Sequence, residues 1–205
     1  MTSVWALVFP WSGIVAAGIT AVGCATARLP APGVAERAAS ASSYSARLRV
    51  TVKGPELRAR ASVLVAFERP GSLRVEVPGP VGARLVAVTR EATLTAVFPA
   101  ERALYEDSAS AASLEALLGV RLTPPEVMDL LVGRAPATVA RYRTLWGTTL
   151  PRKIDATLAD GTRLDIGVEE SEANPSLPPA AFEAPPHEGY RRVDADEARR
   201  LWGSR

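Results

Sequence analysis

The chain has 205 residues, with 24 Lys plus Arg against 22 Asp plus Glu, a formal net charge of +2, and 47% hydrophobic but only 6% aromatic residues. That length holds one domain with a real core and is short for two, and the arginines are scattered along the sequence rather than clustered into a nucleic-acid stripe, so no nucleic-acid partner is expected. A single cysteine and a single histidine exclude a disulfide framework and a thiolate metal cluster, and leave little material for acid–base catalysis.

The first element is an apolar leader. From Val4 to Val22 no residue is charged and only Ser12 and Thr20 are polar, and the run closes with Ala21-Val22-Gly23-Cys24, the small-residue ending of a bacterial lipobox. Residues 1–23 are therefore expected to be a lipoprotein signal peptide, removed so that Cys24 becomes a lipidated N-terminus carrying palmitate-type acyl chains. No Lys or Arg precedes the run and Pro10 interrupts it. The alternative is an uncleaved membrane helix, since about 19 apolar residues just span a bilayer; Pro10, Gly13, Gly18 and Gly23 weaken that helix. Ala25 stands where an Asp holds many Gram-negative lipoproteins in the inner membrane, so the expected location is the cell outer membrane, lipid-anchored and facing the periplasm.

Residues 24–43 are rich in Ala, Pro and Ser and read as a flexible tether, with a short helix possible over Val34 to Ala41. Strand signals follow. Leu48, Val50 and Val52 alternate with Arg47, Arg49, Thr51 and Lys53, and Gly54-Pro55 turns the chain into a second alternating run from Leu57 to Glu68. Pro70-Gly71 leads to a third strand over Ser72 to Val77, and further strands are expected at Ala83–Thr89, Ala92–Phe98 and Ala103–Glu106. The period then changes. Ser113–Leu118 is a short helix candidate, and Thr123-Pro124-Pro125-Glu126 combines a cap, an N1 proline and an acid three residues on, opening a helix that Gly133 stops. Strands resume at Ala137–Trp146, Leu150–Leu158 and Arg163–Val168, the last two joined by Asp160-Gly161. A proline-rich stretch, Asn174 to Pro186, carries Phe182 toward the sheet, and residues 191–205 form a short C-terminal helix or tail with Leu201 and Trp202 on its apolar side, expected at the periphery.

These elements define a mainly β, α+β domain over residues 44–190. About nine short antiparallel strands each offer one apolar face, and a sheet of that kind keeps its face dry by curling around the helices into a half-barrel with a helical lid. The curled face of Val63, Val65, Phe67, Leu73 and Val75, closed by Leu117, Val127, Leu130 and Leu131, is the candidate lipid-binding cavity. The small inward residues Ala59, Ala61, Ala87, Ala96 and Ala103 leave room for such a cavity or, equally, make the barrel narrow. His187 sits in a proline-rich loop without a nucleophile beside it and reads as solvated; no catalytic residue, metal or cofactor is expected, and the chain reads as a binding protein, not an enzyme.

The order ARLRVTV, ASVLVAFERPGSLRVEVPGPVGARL, LEALLGVRLTPPEVMDLLVGRAP resembles the LolB and LolA-like outer-membrane lipoprotein-sorting family over about residues 44–170. Gly79-Pro80-Val81-Gly82 matches the loop after the family's third strand, and Gly119 to Pro124 and Gly133 to Pro136 match its segments around the second helix. The resemblance implies an apolar half-barrel that accepts the acyl chains of other lipoproteins from a periplasmic LolA-like carrier, acts as a chaperone in protein transport, and works as a monomer at the outer membrane lipid. Val81 takes the place of the family's exposed apolar loop residue, which implies a membrane-insertion role. The competing class is a structural or assembly lipoprotein with a filled barrel that binds protein partners.

Overall fold

The structure, a computed structural model, describes residues 30–55 and 57–203, so the leader 1–23 and the expected lipidation site Cys24 lie outside the described residues. In chain order the elements are α1 (Val34–Ala39), β1 (Ser43–Lys53), β2 (Arg58–Glu68), β3 (Ser72–Pro78), β4 (Ala83–Arg90), β5 (Thr93–Phe98), β6 (Ala103–Ser108), α2 (Ala111–Leu118), α3 (Pro124–Leu131), β7 (Val139–Trp146), β8 (Pro151–Leu158), β9 (Arg163–Ala173), a 3-10 turn (Pro179–Phe182), β10 (Arg191–Arg192) and α4 (Ala195–Gly203). None of the described helices is long and apolar enough to cross a membrane.

The strands form one open, curled sheet in the order β10-β6-β5-β4-β3-β2-β1-β9-β8-β7. β1 through β6 make a continuous antiparallel meander, and β9 returns to pair with the free side of β1, Val50 opposite Ile166 and Val52 opposite Leu164. Register follows from the period-2 pattern, because a one-residue slip would carry every valine of the inner face into water. Leu48 lies opposite Val63, Val65 opposite Val75, and Phe67 opposite Leu73, so the buried faces coincide from strand to strand. The sheet does not close: β10, paired parallel to β6, ends it on one side and β7 on the other.

Both middle helices begin as their sequences dictate. Ser110 caps α2 by accepting from the Ser113 amide at 3.2 Å. At α3 the capping box is complete: the Thr123 amide donates to Glu126 at 2.7 Å, and the Glu126 amide reaches back to the Thr123 hydroxyl at 3.4 Å. Gly133, just past α3, has φ +90°, and a Cβ there would come within 2.6 Å of the Trp146 ring, so both its backbone and its surroundings require glycine.

Two expectations change, and one left open is decided. The segment read as tether up to residue 43 is already part of the body from α1 onward, because Val34, Ala38 and Ala41 are buried and the Ala41 carbonyl accepts from Arg69 at 3.1 Å. The C-terminal helix is not peripheral. Ala198 and Trp202 of α4 join the main core, Arg199 donates to the Ala116 carbonyl of α2 at 2.9 Å, and Arg84 of β4 donates to the Leu201 carbonyl at 3.1 Å. The role left open for the five inward alanines is not that of lining the cavity: none of them stands on its wall, and Ala96 lies opposite Tyr105 and Ala103 opposite Phe98. Phe182 reaches the sheet on its outer face, packing with Val86 and Val88 in a small separate cluster.

Candidate functional site

Between the inner face of β1, β2, β3 and β9 and the three helices α2, α3 and α4 lies a cavity of about 110 Å3. The sheet supplies Leu48, Val50 and Val52 from β1, Val63 and Val65 from β2, Leu73, Val75 and Val77 from β3, and Leu164 and Ile166 from β9. The cover comes from Leu114 and Leu118 of α2, Val120 and Leu122 of the link, Val127, Leu130 and Leu131 of α3, and Trp202 of α4. Every side chain of the wall is apolar, so the space offers neither a hydrogen bond nor a charge to a ligand and selects by burial alone.

Seven of the nine residues expected from the sequence stand on this wall: Val63, Val65, Leu73, Val75, Val127, Leu130 and Leu131. Phe67 and Leu117 lie beside it in filled core. The Phe67 ring stacks on Tyr44 with centroids 5.3 Å apart and has the Arg69 guanidinium 5.5 Å from its centre, while Leu117 is fully buried. Sequence reasoning missed the β1 and β9 contributions, which follow once β9 is known to pair with β1, and it missed Trp202, whose helix is dominated by charged residues.

Polar groups at the margin fasten the cover. Arg69, in the β2–β3 turn, pairs with Asp129 of α3 at 2.7 Å, and Tyr142 of β7 donates to the Leu130 carbonyl at 3.1 Å. Burial pushes the Tyr142 hydroxyl above its ordinary value, against a hydrogen bond with Thr144. At Glu126 burial works to raise the carboxyl, but hydrogen bonds from the Thr123 amide, Thr138 and the Thr123 hydroxyl outweigh it and hold the group below the usual carboxylate value. Asp194 caps α4, accepting from the Glu197 amide at 2.8 Å, and Arg191 pairs with Glu197 at 2.6 Å. Trp202 is 7% exposed, and its indole N–H has no hydrogen-bond acceptor among the described residues. An unsatisfied buried donor of this kind costs about 1–3 kcal/mol, so α4 covers the cavity under a local penalty.

The other singled-out residues lie elsewhere. Val81 is 96% exposed at the tip of the β3–β4 loop, where the Gly79 amide bonds the Gly82 carbonyl at 2.8 Å. His187 is half-buried, its Nδ1 2.8 Å from the Pro185 carbonyl.

The fold is thus of the mainly β, α+β class, an open curled sheet with a helical cover. No family model matches the sequence, and no curated protein matches it significantly. Solved structures similar to this chain include a conserved protein from Thermus thermophilus (15% identity, TM-score 0.45, covering 78% of this chain and 94% of that one) and a LolA superfamily protein from Nitrosomonas europaea (12%, 0.43, 77% and 99%). A domain named for outer membrane lipoprotein sorting, from Vibrio parahaemolyticus, is similar at 5% identity and TM-score 0.39, covering 72% of this chain and 92% of that one. Likenesses at these values lend no weight to a functional reading, which rests on the cavity.

Proposed function

We propose that this chain is an outer-membrane-anchored lipoprotein, lipidated at Cys24, that takes acyl chains of other lipoproteins into its apolar cavity and assists their localisation and insertion into the outer membrane. The observation that carries the reading is a cavity of about 110 Å3 walled wholly by apolar side chains between sheet and helices. No energy source is needed, because each methylene buried contributes about 0.8 kcal/mol and cargo moves toward whichever cavity or bilayer buries more of it. At about 30 Å3 for a water-sized group, the cavity holds only three or four methylenes. A longer acyl segment extends out of it or displaces α4 or α3, and a chain delivered by a LolA-like carrier enters from its open side.

The competing reading, an assembly lipoprotein that docks protein partners, calls for a packed interior and an exposed apolar patch. Among the described residues the large apolar side chains exposed to solvent are Val81 and Leu145, which sit on separate elements, so the interior void favours the lipid reading. Titration of the purified chain with a fluorescent fatty acid, together with mass spectrometry of co-purifying lipids, tests it. Saturable, acyl-length-dependent binding supports the proposal; absence of both binding and co-purifying lipid overturns it.

A further inference from the structure

Folding gathers cations that the sequence scatters. On the outer face of the sheet, away from the cavity, one cross-strand row runs Arg141 opposite Thr157, Thr157 opposite Arg163, Arg163 opposite Lys53, and Lys53 opposite Arg58. The adjacent row adds Arg143 and Arg60 at its two ends, with Asp155, Asp165 and Thr51 between. All six cations are exposed, and none makes an ion pair with another described residue. The two acids instead share Lys153, at 3.2 and 3.1 Å. Arg141, Arg143, Arg163 and Lys53 line an open groove of about 640 Å3.

Three cations placed directly opposite one another on neighbouring strands repel, a pairing that destabilises a sheet. They also stand at one end of the molecule: the acids Glu68, Glu170 and Glu172 lie at the other end of β2 and β9. Val81 belongs to the cationic end, because β2 and β3 run antiparallel with Leu64 opposite Glu76, so the C-terminal end of β3 and the loop after it stand toward the end of the sheet at which Arg58 begins β2. A nucleic acid would use the cations and leave the exposed valine in water, whereas an anionic bilayer accommodates both, phosphates against the arginines and the valine among the acyl chains.

We infer that this end of the sheet is a docking surface for anionic phospholipid, with Lys53, Arg58, Arg141 and Arg163 facing the headgroup phosphates and Val81 entering the interface. It is independent of the cavity: the row lies on the opposite face, and its substitution leaves the apolar wall intact.

All described packing lies within residues 30–203, so a chain starting at Ala25 keeps the fold and lacks the leader and the acylated cysteine. That chain is co-sedimented with vesicles of phosphatidylcholine alone and of phosphatidylcholine with phosphatidylglycerol. Binding is expected only to the anionic vesicles, and is expected to collapse between about 0.1 M and about 1 M salt as the Debye length falls from about 10 Å to about 3 Å. Each cation at such a surface is worth roughly fivefold in affinity, so Lys53→Ala, Arg58→Ala, Arg141→Ala and Arg163→Ala together should weaken binding by about 600-fold. Arg90→Ala with Arg121→Ala, outside the row, should change little, and an unchanged thermal melt together with retained fatty-acid binding establishes that the fourfold variant is folded. Equal binding to both vesicle types, no binding to either, or wild-type affinity in the folded fourfold variant overturns the inference; no binding to either would leave the row to an acidic protein partner.

Discussion

Truncating Trp202 to alanine separates the two things its indole does, completing the core and occupying space that cargo would use. Removing a buried Trp side chain ordinarily costs about 3–5 kcal/mol. Here the change also removes a buried N–H without an acceptor among the described residues, which returns about 1–3 kcal/mol. The net cost is therefore about 2 kcal/mol, a fall in Tm of about 4–8 °C for a domain of this size. Binding moves the other way. If the vacated space lets two further methylenes be buried, at about 0.8 kcal/mol each, affinity for a fluorescent fatty acid rises about tenfold. Trp202→Phe keeps most of the apolar volume and removes the orphaned donor, so it should melt at or slightly above the wild-type temperature with little change in affinity. Paired melts and probe titrations on the three proteins check this. A folded Trp202→Ala protein that binds the probe no better than wild type would refute the view that α4 plugs the site, as would a Phe variant destabilised as much as the alanine one.

Val65→Trp should fill the cavity from the sheet side, costing about 1–3 kcal/mol by overpacking and lowering probe affinity; unchanged affinity in a folded variant contradicts the site assignment. Val81→Glu should shift stability by less than about 0.5 kcal/mol and leave cavity binding intact, while delivery of a lipoprotein to liposomes falls because a carboxylate resists the apolar layer. The Glu126 carboxyl has a depressed folded value, so its contribution is complete above the unfolded value of about 4.3 and is lost as pH falls through the lower folded one. Melts as a function of acid pH should show that loss in the wild type and lack it in Glu126→Gln, which should cost about 0.5–1 kcal/mol at neutral pH. Cys24→Ser should leave an unprocessed precursor, read by intact mass after membrane extraction, and a mature wild-type chain without acyl mass would end the lipoprotein reading.

What the sequence displayed was whatever depends on neighbours in the chain. Alternation across Leu48 to Val52 and Leu57 to Phe67 marks strands because one face must stay dry, and Thr123 with Glu126 marks a helix start because both groups of the box are local. What it hid depends on distant pairing. The union of β1 with β9 brings Lys53 beside Arg163, more than a hundred residues along, and no local pattern announces it. Trp202 was hidden for a different reason: Asp196, Glu197, Arg199 and Arg200 give α4 a solvated face, and one buried edge of Ala198 and Trp202 is enough to seat it. The two-residue β10 carries no period at all, since Arg191 and Arg192 are both exposed, and it is the backbone of β6 with ion pairs to Glu197 and Glu106 that places them.

The strand order has a consequence for how the chain reaches this state. The meander β1 to β6 is made first during synthesis, yet both of its outer strands are covered by sequence that comes later, β1 by β9 and β6 by β10. Until residues 163–193 arrive, a nascent chain presents two unpaired backbone edges, a template for joining to other chains. Closing β9 onto β1 also requires a loop of more than a hundred residues, which slows folding and lengthens the exposure. Truncation before residue 163 should accordingly yield aggregates instead of a smaller soluble domain, and the full chain should refold more slowly than a helical protein of its length and gain yield from dilution or a holding chaperone.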